Sequence, residues 1–286
     1  MHKLMTCGAQ VLLCVGLTTV ACLTPLSAAP LPVAVLVLDS RSTNGALNLG
    51  GDNVLTVRAG DVVVNSCHNF GLFNVNSRLE ARAGAIRVCG GAHHLGSGTF
   101  SPDPVTGAGR APDPYAEVVW PQPQEVASPQ KLFLSGDQER TLTPGLYKGG
   151  VSCVGKSLRV VLQPGLYVIT DGDLFVSGAT LTGQGVTILM SGDAPGKVLL
   201  ANGCSLNLSA PKAGALKDLL LVSWRASQDN DTDIALTGAT AMLDGVVYAP
   251  QGCVGASSKA KVTAAAVVTY SLILNTGATL DVLGQR

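Results

Sequence analysis

The chain has 286 residues, of which 47% are hydrophobic and 13% are charged, and its formal net charge is zero. The apolar content excludes general disorder, and the balanced charge argues against nucleic acid or an acidic membrane as a partner held by bulk electrostatics. The length is compatible with one large domain. No phosphate loop, nucleophile elbow or other cofactor motif occurs, so we predict no cofactor.

Residues 1–29 have the organisation of an export signal. A weakly basic start precedes an apolar segment from Gln10 to Cys22, and its apolar residues, about a dozen, are too few to span a bilayer. Ser27-Ala28-Ala29 supplies small residues for cleavage. A lipoprotein signal ending at Cys22 is the second option, and an uncleaved anchor is the third. Each option exports the chain from about Val33 onward to an extracellular, periplasmic or cell-surface location, with a membrane contacted only through an N-terminal anchor.

Two series of turn residues recur at intervals of roughly 20–25 residues, which is typical of a solenoid. The first is a cadence of any residue, Gly, any residue, then Ser or Thr, with glycines at Gly155, Gly178, Gly203, Gly238, Gly255 and Gly277. The second is an Ala-Gly or Pro-Gly pair that suits a type II turn, with glycines at Gly60, Gly84, Gly145 and Gly165. Short apolar, β-branched segments follow both series, and such segments indicate strands.

The two series interleave, so that one coil is expected to contain two corners and two strands. Leu206 and Leu208 alternate with Asn207, which places the leucines inside and the amide in water. Helical periodicity is nearly absent beyond residue 32. We therefore predict an all-β fold over residues 33–286, a single-stranded, right-handed parallel β-helix (β-solenoid) with coils of roughly 20–25 residues. We expect the segment from Val33 to Leu38 to be the first strand and to cover one end.

Residues 96–130 contain seven prolines, a density that ordered strands do not tolerate. We expect an inserted, extended segment that lies along the solenoid or loops away from it. Tyr115, Val118, Val119 and Trp120 give this segment an apolar patch. Packing of the patch against the solenoid is the favoured interpretation, and a carbohydrate contact through Tyr115 and Trp120 is the alternative.

Five cysteines follow the signal region. The offset between the two Ala-Gly corners places Cys67 and Cys89 on adjacent coils, so we predict a disulfide between them in an oxidising compartment. Cys153, Cys204 and Cys253 fall at or beside the Gly-Ser/Thr corners. We interpret these three as small buried residues that behave as hydrophobes.

Two groups of aspartates have the composition of a functional site. Asp229, Asp231 and Asp233 resemble the start of a calcium loop, but the Gly and the terminal Glu that such a loop requires are missing. A solvated loop is therefore the favoured interpretation. Asp171 and Asp173 match the paired carboxylates of a glycosidase, and they match a polar turn equally well.

A third group, Cys67, His68, Cys89, His93 and His94, contains the residue types that bind zinc. The spacing matches no zinc motif. We therefore favour a coincidence of loop composition and predict no metal site in this chain.

Several short stretches resemble a domain found in bacterial Tad-type (tight adherence, Flp) pilus-assembly proteins and related exported proteins. These stretches are Leu38-Asp39-Ser40, Gly45-Ala46-Leu47-Asn48-Leu49, Asp113-Pro114-Tyr115-Ala116, Pro164-Gly165-Leu166-Tyr167-Val168-Ile169, Ser177-Gly178-Ala179-Thr180-Leu181-Thr182-Gly183-Gln184-Gly185-Val186-Thr187-Ile188 and Leu243-Asp244-Gly245-Val246-Val247-Tyr248-Ala249-Pro250. The resemblance implies an exported protein associated with pilus assembly, and it implies no catalytic residues.

The sequence thus predicts an exported, non-catalytic structural, adhesive or pilus-assembly-associated protein of the bacterial cell envelope. Its partners would be envelope or pilus components, or polysaccharide. Two alternatives remain open: a polysaccharide lyase or glycosidase built on a parallel β-helix, and a glycan-binding module. Clustered Asp with Arg or Lys on an exposed solenoid face would favour the enzyme, whereas a face of Ser, Thr and small residues would favour the structural role.

Overall fold

The computed structural model describes residues 33–121, 126–226 and 231–284. The described residues contain 27 strands and no helix, and residues Leu31–Arg286 form one compact unit. Parallel strands stack in about 10 turns of about 22 residues. The predicted all-β parallel β-solenoid is therefore confirmed. The export signal predicted for residues 1–29 lies outside the described residues.

Each coil has three strands, so the solenoid has three faces, named here A, B and C. The prediction of two strands per coil was wrong because the polar Asp-Gly turn at Asp171-Gly172 is a third corner. Face A contains β1 (Val33–Val37), β4 (Asp61–Val64), β7 (Ile86–Val88), β10 (Val105–Thr106), β11 (Val126–Ser128), β14 (Gly145–Lys148), β17 (Gly165–Thr170), β20 (Val186–Ser191) and β23 (Leu219–Ser223).

Faces B and C follow the same order along the chain. Face B contains β2 (Leu47–Gly50), β5 (Leu72–Val75), β8 (Ala92–Leu95), β12 (Leu132–Ser135), β15 (Val151–Val154), β18 (Leu174–Ser177), β21 (Val198–Ala201) and β24 (Thr232–Thr237). Face C contains β3 (Val54–Val57), β6 (Arg78–Ala81), β9 (Thr99–Ser101), β13 (Glu139–Leu142), β16 (Arg159–Leu162), β19 (Thr180–Gly183), β22 (Ser205–Ser209) and β27 (Thr279–Val282). The long strands β25 (Thr240–Ser257) and β26 (Lys261–Asn275) continue across all three faces.

Alternating side chains build the core, as the sequence predicts. Leu206 and Leu208 are buried and Asn207 between them is exposed, and the inward residues of all three faces join in one hydrophobic cluster. The corner role of the glycine cadence holds for five of its members, which adopt positive φ. It was wrong for Gly255, which lies inside β25 and pairs with Ala235 and Ile273. The corner there is formed by Ser258 and Lys259, both with positive φ.

The coils do not stack in chain order. Val35 of β1 pairs with Val267 of β26 on one side and with Val62 of β4 on the other, and β3 pairs with β27. The N-terminal block, residues 33–106, therefore continues the stack beyond the C-terminal coil. The prediction that the segment from Val33 to Leu38 covers one end was wrong, because β1 lies inside the stack with partners on both sides.

This order places β8, β9 and β10 at one end of the solenoid and β11, β12 and β13 at the other. The chain must therefore return along the outside between them, and residues 107–121, named here the strap, begin this return. Asn65 holds the strap at Ala111 through two hydrogen bonds of 2.8 Å, one to its carbonyl and one from its N–H. The predicted Pro-rich insert is thus narrower than residues 96–130, because β9, β10 and β11 lie within those bounds.

Candidate functional site

The strap covers the outward side of face A with a second, smaller hydrophobic cluster. Tyr115, Val118 and Trp120 of the strap pack against outward residues of face A, which are buried beneath them: Leu36, Val63, Val168, Leu189, Val222, Tyr248 and Val268. The outward side of face A is consequently apolar, whereas the outward side of face C is polar. Both candidate sugar-contact residues, Tyr115 and Trp120, therefore make intramolecular packing contacts in this structure.

Tyr248 is the centre of an aromatic group in this cluster. Its side chain is 1% exposed, and its ring lies 5.2 Å from that of Tyr115, 5.9 Å from Trp224 and 6.3 Å from Trp120, measured between centroids. Its hydroxyl donates a 2.8 Å hydrogen bond to Oδ2 of Asp113. Burial, and secondarily the carboxylate of Asp113, raise the pKa of the Tyr248 hydroxyl well above its ordinary value. The phenol is therefore a neutral donor that ties the strap to β25.

Stability is expected to fall at alkaline pH. Burial raises the pKa of Tyr167 and Tyr248 in the folded state, whereas the unfolded chain has tyrosine pKa values of about 10. Above that pH the unfolded state binds fewer protons than the folded state, so the free energy of unfolding declines by up to about 1.4 kcal/mol per pH unit for each such tyrosine. Urea unfolding at pH 8, 9.5 and 11 measures this decline, and equal stability at all three values would contradict it.

Asp231 and Asp233, two of the three predicted calcium candidates, have cationic partners. Asp233 is fully buried, pairs with Arg225 and accepts a 2.7 Å hydrogen bond from the N–H of Cys253. Arg225 also contacts Asp231 at 2.9 Å, and a hydrogen bond from Lys197 is the main cause of the lowered pKa of Asp231. This ion-pair network ties two corners to β25. Asp229 lies outside the described residues.

The predicted carboxylate pair lies in a tight turn. Asp171 and Asp173 connect β17 to β18, and Asp171 has a positive φ of 56°. Oδ1 of Asp173 accepts a 2.7 Å hydrogen bond from the N–H of Lys197 on the adjacent coil. The carboxylate of Asp173 thus stabilises the corner by an intramolecular hydrogen bond.

The five residues of zinc-binding type, which we interpreted as a coincidence of loop composition, make other contacts. Nδ1 of His68 accepts a 3.0 Å hydrogen bond from the N–H of Phe70. The ring of His93 lies 4.4 Å from that of Phe70, and the ring of His94 lies 5.7 Å from that of Phe100. Cys67 and Cys89 form a disulfide with a Cα–Cα distance of 4.6 Å. Within the part of the chain that the structure describes, no three His, Cys, Asp or Glu residues are arranged to hold a metal ion.

Loss of the Cys67–Cys89 disulfide is expected to lower the free energy of unfolding by about 3 kcal/mol, because the bridge closes a loop with a sequence separation of 22. Urea unfolding of the double Cys67→Ser, Cys89→Ser variant against the oxidised protein measures the change. Cys153, Cys204 and Cys253 are buried thiols, and burial raises the pKa of Cys153 to about 12. Alkylation of native, unreduced protein should label none of the five, and labelling of Cys67 or Cys89 would contradict the disulfide.

A groove of mixed polar and apolar lining, which we name the corner groove, runs along the edge between faces C and A. Two adjoining cavities of ≈ 640 and ≈ 670 Å³ share Asp244 and form it. Gln184, Asn207 and Ser209 line one part, and Lys212 lines the other. Nζ of Lys212 lies 3.0 Å from Oδ2 of Asp244 in an exposed ion pair. Amide, hydroxyl and charged groups at successive coils form a surface on which an extended polar ligand can make hydrogen bonds.

Face C carries a column of hydroxyl side chains on its outward side. The pairing register aligns ten outward residues of face C in one column, and five of them carry hydroxyl groups: Thr180, Ser205, Thr240, Thr279 and Thr99. The other five positions are Glu139, Arg159, Lys261, Val54 and Arg78. Four of the hydroxyl residues, Thr180, Ser205, Thr240 and Thr279, are the Ser or Thr positions of the glycine cadence. We interpreted that cadence only as a corner, and the register of the stack shows that its hydroxyl residues also form a column on the outward side of face C.

The site and fold together define a parallel β-solenoid with a strap along one face and polar groups on another. Comparison of the chain with protein-family models, with curated proteins and with solved structures finds no match in any of the three. None of the described residues forms a helix with the length and apolar character needed to cross a membrane.

Proposed function

We propose that this chain is an exported, non-catalytic structural protein of the bacterial cell envelope, and that it works as a rigid rod whose faces contact other envelope components. The hydroxyl column of face C carries the proposal, because Ser and Thr fill five of its ten positions, and such side chains suit contact with a partner rather than catalysis. Three of the carboxylates proposed as catalytic or metal candidates, Asp173, Asp231 and Asp233, hold corners together, since they bind groups of the chain itself. A stack whose units contact only their neighbours provides the stiffness that a spacer or display scaffold needs.

Association with Tad-type pilus components is the more specific form of this proposal. Two stretches that carry the resemblance meet in space although they are 135 residues apart, since Asp113 accepts the hydrogen bond of Tyr248. A third stretch contributes Asp39, which is fully buried and accepts a 2.6 Å hydrogen bond from the hydroxyl of Tyr270. The stretches that carry the resemblance thus hold the strap and a corner in place, which supports a scaffold shared with that domain.

Fractionation of cells that produce the tagged full chain tests the proposal. We expect the protein in the envelope or extracellular fraction, accessible to external protease or released from the periplasm, with cross-links to envelope proteins formed through Lys261 on face C. Lys261→Arg, which preserves the charge, is the matched control for the cross-link. Recovery of the full chain in the cytoplasmic fraction would overturn the exported role, and cleavage of an envelope polysaccharide by the purified chain would overturn the non-catalytic one.

Glycan binding in the corner groove is a second candidate function, because the groove offers neutral hydrogen-bonding side chains on two adjacent coils. Calorimetric titration with envelope polysaccharides should give binding that Asn207→Ala and Gln184→Ala weaken. Thr263→Ala on the same face, outside the residues that line the groove, should leave affinity unchanged. Equal affinity of the unaltered protein and the three variants would show that the glycan does not bind in the corner groove.

A further inference from the structure

The two ends of the solenoid present open strand edges of the same pattern. End 1 consists of β11, β12 and β13, and end 2 consists of β8, β9 and β10; each end has one strand from each face. Among the described residues, each of these six strands is paired on one side only. Such edges are templates for pairing with another chain unless something covers them.

Exposed large apolar side chains concentrate near these ends. Six large hydrophobic residues are exposed in the described parts of the chain. Leu95 and Val105 belong to end 2, and Phe133 belongs to end 1. Phe70 lies beside end 2, where its ring contacts His93. The two remaining examples, on the strap and on face C, are Val119 and Met242. An apolar surface at both ends of a rod is the pattern expected of an interaction surface.

The backbone groups at the two edges are complementary. The N–H of Leu132 bonds to the carbonyl of Gly150 inside the stack, so the peptide groups of Phe133 point out of end 1, because alternate residues of a parallel strand face opposite neighbours. By the same alternation, the N–H of Leu72 bonds to the carbonyl of Gly91, and the peptide groups of His94 point out of end 2. Each end thus offers donors and acceptors in the register that the other requires.

The side-chain columns also continue from end to end. The face B column that begins at Leu132 reaches Ala92 through successive pairs, and the face C column that begins at Glu139 reaches Thr99. All of these pairs are parallel. A second copy placed with its end 1 on end 2 of the first would therefore extend the ladders of faces B and C without a change of direction or register.

We propose that this protein assembles head to tail with further copies of itself, end 1 on end 2, to form a filament one solenoid wide. The interface is heterologous, and a translation along the rod axis leaves both outer ends open for the next copy, so the assembly is not closed. Arg140 at end 1 occupies an inward position in the same column as Phe100 at end 2. In the filament the guanidinium of Arg140 from one copy would therefore contact the Phe100 ring of the next copy, a favourable cation–π contact. The proposal does not depend on export or on any envelope partner.

Sedimentation velocity over a concentration series, with negative-stain microscopy of the same samples, tests this assembly. We expect the purified full chain to form larger species as concentration rises and to appear as unbranched rods of constant width. Phe133→Pro removes an outward N–H of end 1, and His94→Pro removes one of end 2, and both N–H groups point away from the neighbouring strand that the structure describes. Proline is tolerated on an edge strand in this orientation, so each variant should stay folded but remain monomeric.

A mixture of the two variants separates head-to-tail assembly from every other arrangement. Phe133→Pro still has a free end 2 and His94→Pro still has a free end 1, so equal amounts should form dimers and nothing larger. Met242 is an apolar residue in the middle of the stack, and it is about as exposed as Phe133 and Leu95. Met242→Asp should therefore assemble like the unaltered protein. Circular dichroism and melting temperature verify folding, and Phe133→Asp with Leu95→Asp replaces any proline variant that unfolds. A monomeric parent protein at all concentrations, or oligomers in either variant alone, would overturn the proposal.

Discussion

Replacement of Tyr248 by alanine is expected to lower the free energy of unfolding by about 4 kcal/mol. The side chain is 1% exposed and contacts three other aromatic rings, so its removal leaves a cavity between face A and the strap. It also removes the 2.8 Å hydrogen bond to Asp113, which holds the strap in place. Urea unfolding measures the loss.

Limited trypsin digestion shows whether that loss is centred on the strap. Arg110 lies at the start of the strap and is held by Asn65 through a 3.0 Å hydrogen bond, so cleavage after Arg110 should accelerate in Tyr248→Ala. Tyr248→Phe keeps the packing and should cost about 1 kcal/mol. Met242→Ala, on the same strand but 58% exposed, should change stability by less than about 0.5 kcal/mol. An equal effect of Tyr248→Ala and Met242→Ala would contradict the anchoring role of the ring.

Replacement of Asp233 by alanine is expected to lower the free energy of unfolding by about 3 kcal/mol. The change leaves the guanidinium of Arg225 without its buried partner and the N–H of Cys253 without its acceptor. Asp233→Asn should cost less, because its amide oxygen still accepts the hydrogen bond from Cys253. Thermal and urea unfolding of both variants measure the order of effects.

Asp244→Ala is the matched control for Asp233→Ala. Asp244 also pairs with a cation, Lys212, but both side chains are more than half exposed, and such surface pairs contribute little to stability. Its replacement should change the free energy of unfolding by less than about 1 kcal/mol. A calcium-induced rise in the melting temperature of unaltered protein that Asp233→Ala removes would instead favour the calcium loop over the ion-pair network.

The class of fold was accessible from sequence because its signals are local. Glycines such as Gly178 and Gly203 with positive φ, and alternation such as Leu206-Asn207-Leu208, each depend on a few neighbouring residues. Two predictions about the corners were wrong because the local sequence did not distinguish a corner from other structure. The Asp171-Gly172 corner resembles any polar turn, and Gly255 repeats the cadence inside a strand, where the pairing with Ala235 and Ile273 overrides it.

The candidate site was less accessible, because its groups come from distant positions. Tyr115 and Trp120 stood out in sequence as rare aromatics, but nothing local connects them with Tyr248. The glycine cadence already contains most of the hydroxyl residues of face C, but their alignment in one column, like the corner groove, arises only when the coils are stacked in register. The pairing of Cys67 with Cys89 was an exception, since both residues lie on adjacent coils of one block.

The amino-acid sequence encodes coils, corners and the inward or outward direction of each side chain, because backbone conformation and alternation act over a few residues. The order of the coils is decided by tertiary contacts. The backbone ladder of one parallel coil fits the edge of almost any other, so periodicity alone cannot choose the neighbour of β1. Long-range packing makes that choice. The N-terminal block pairs with β26 and β27, and hydrogen bonds of Asn65 to Ala111 and of Tyr248 to Asp113 hold the strap against the solenoid as the chain returns to the other end.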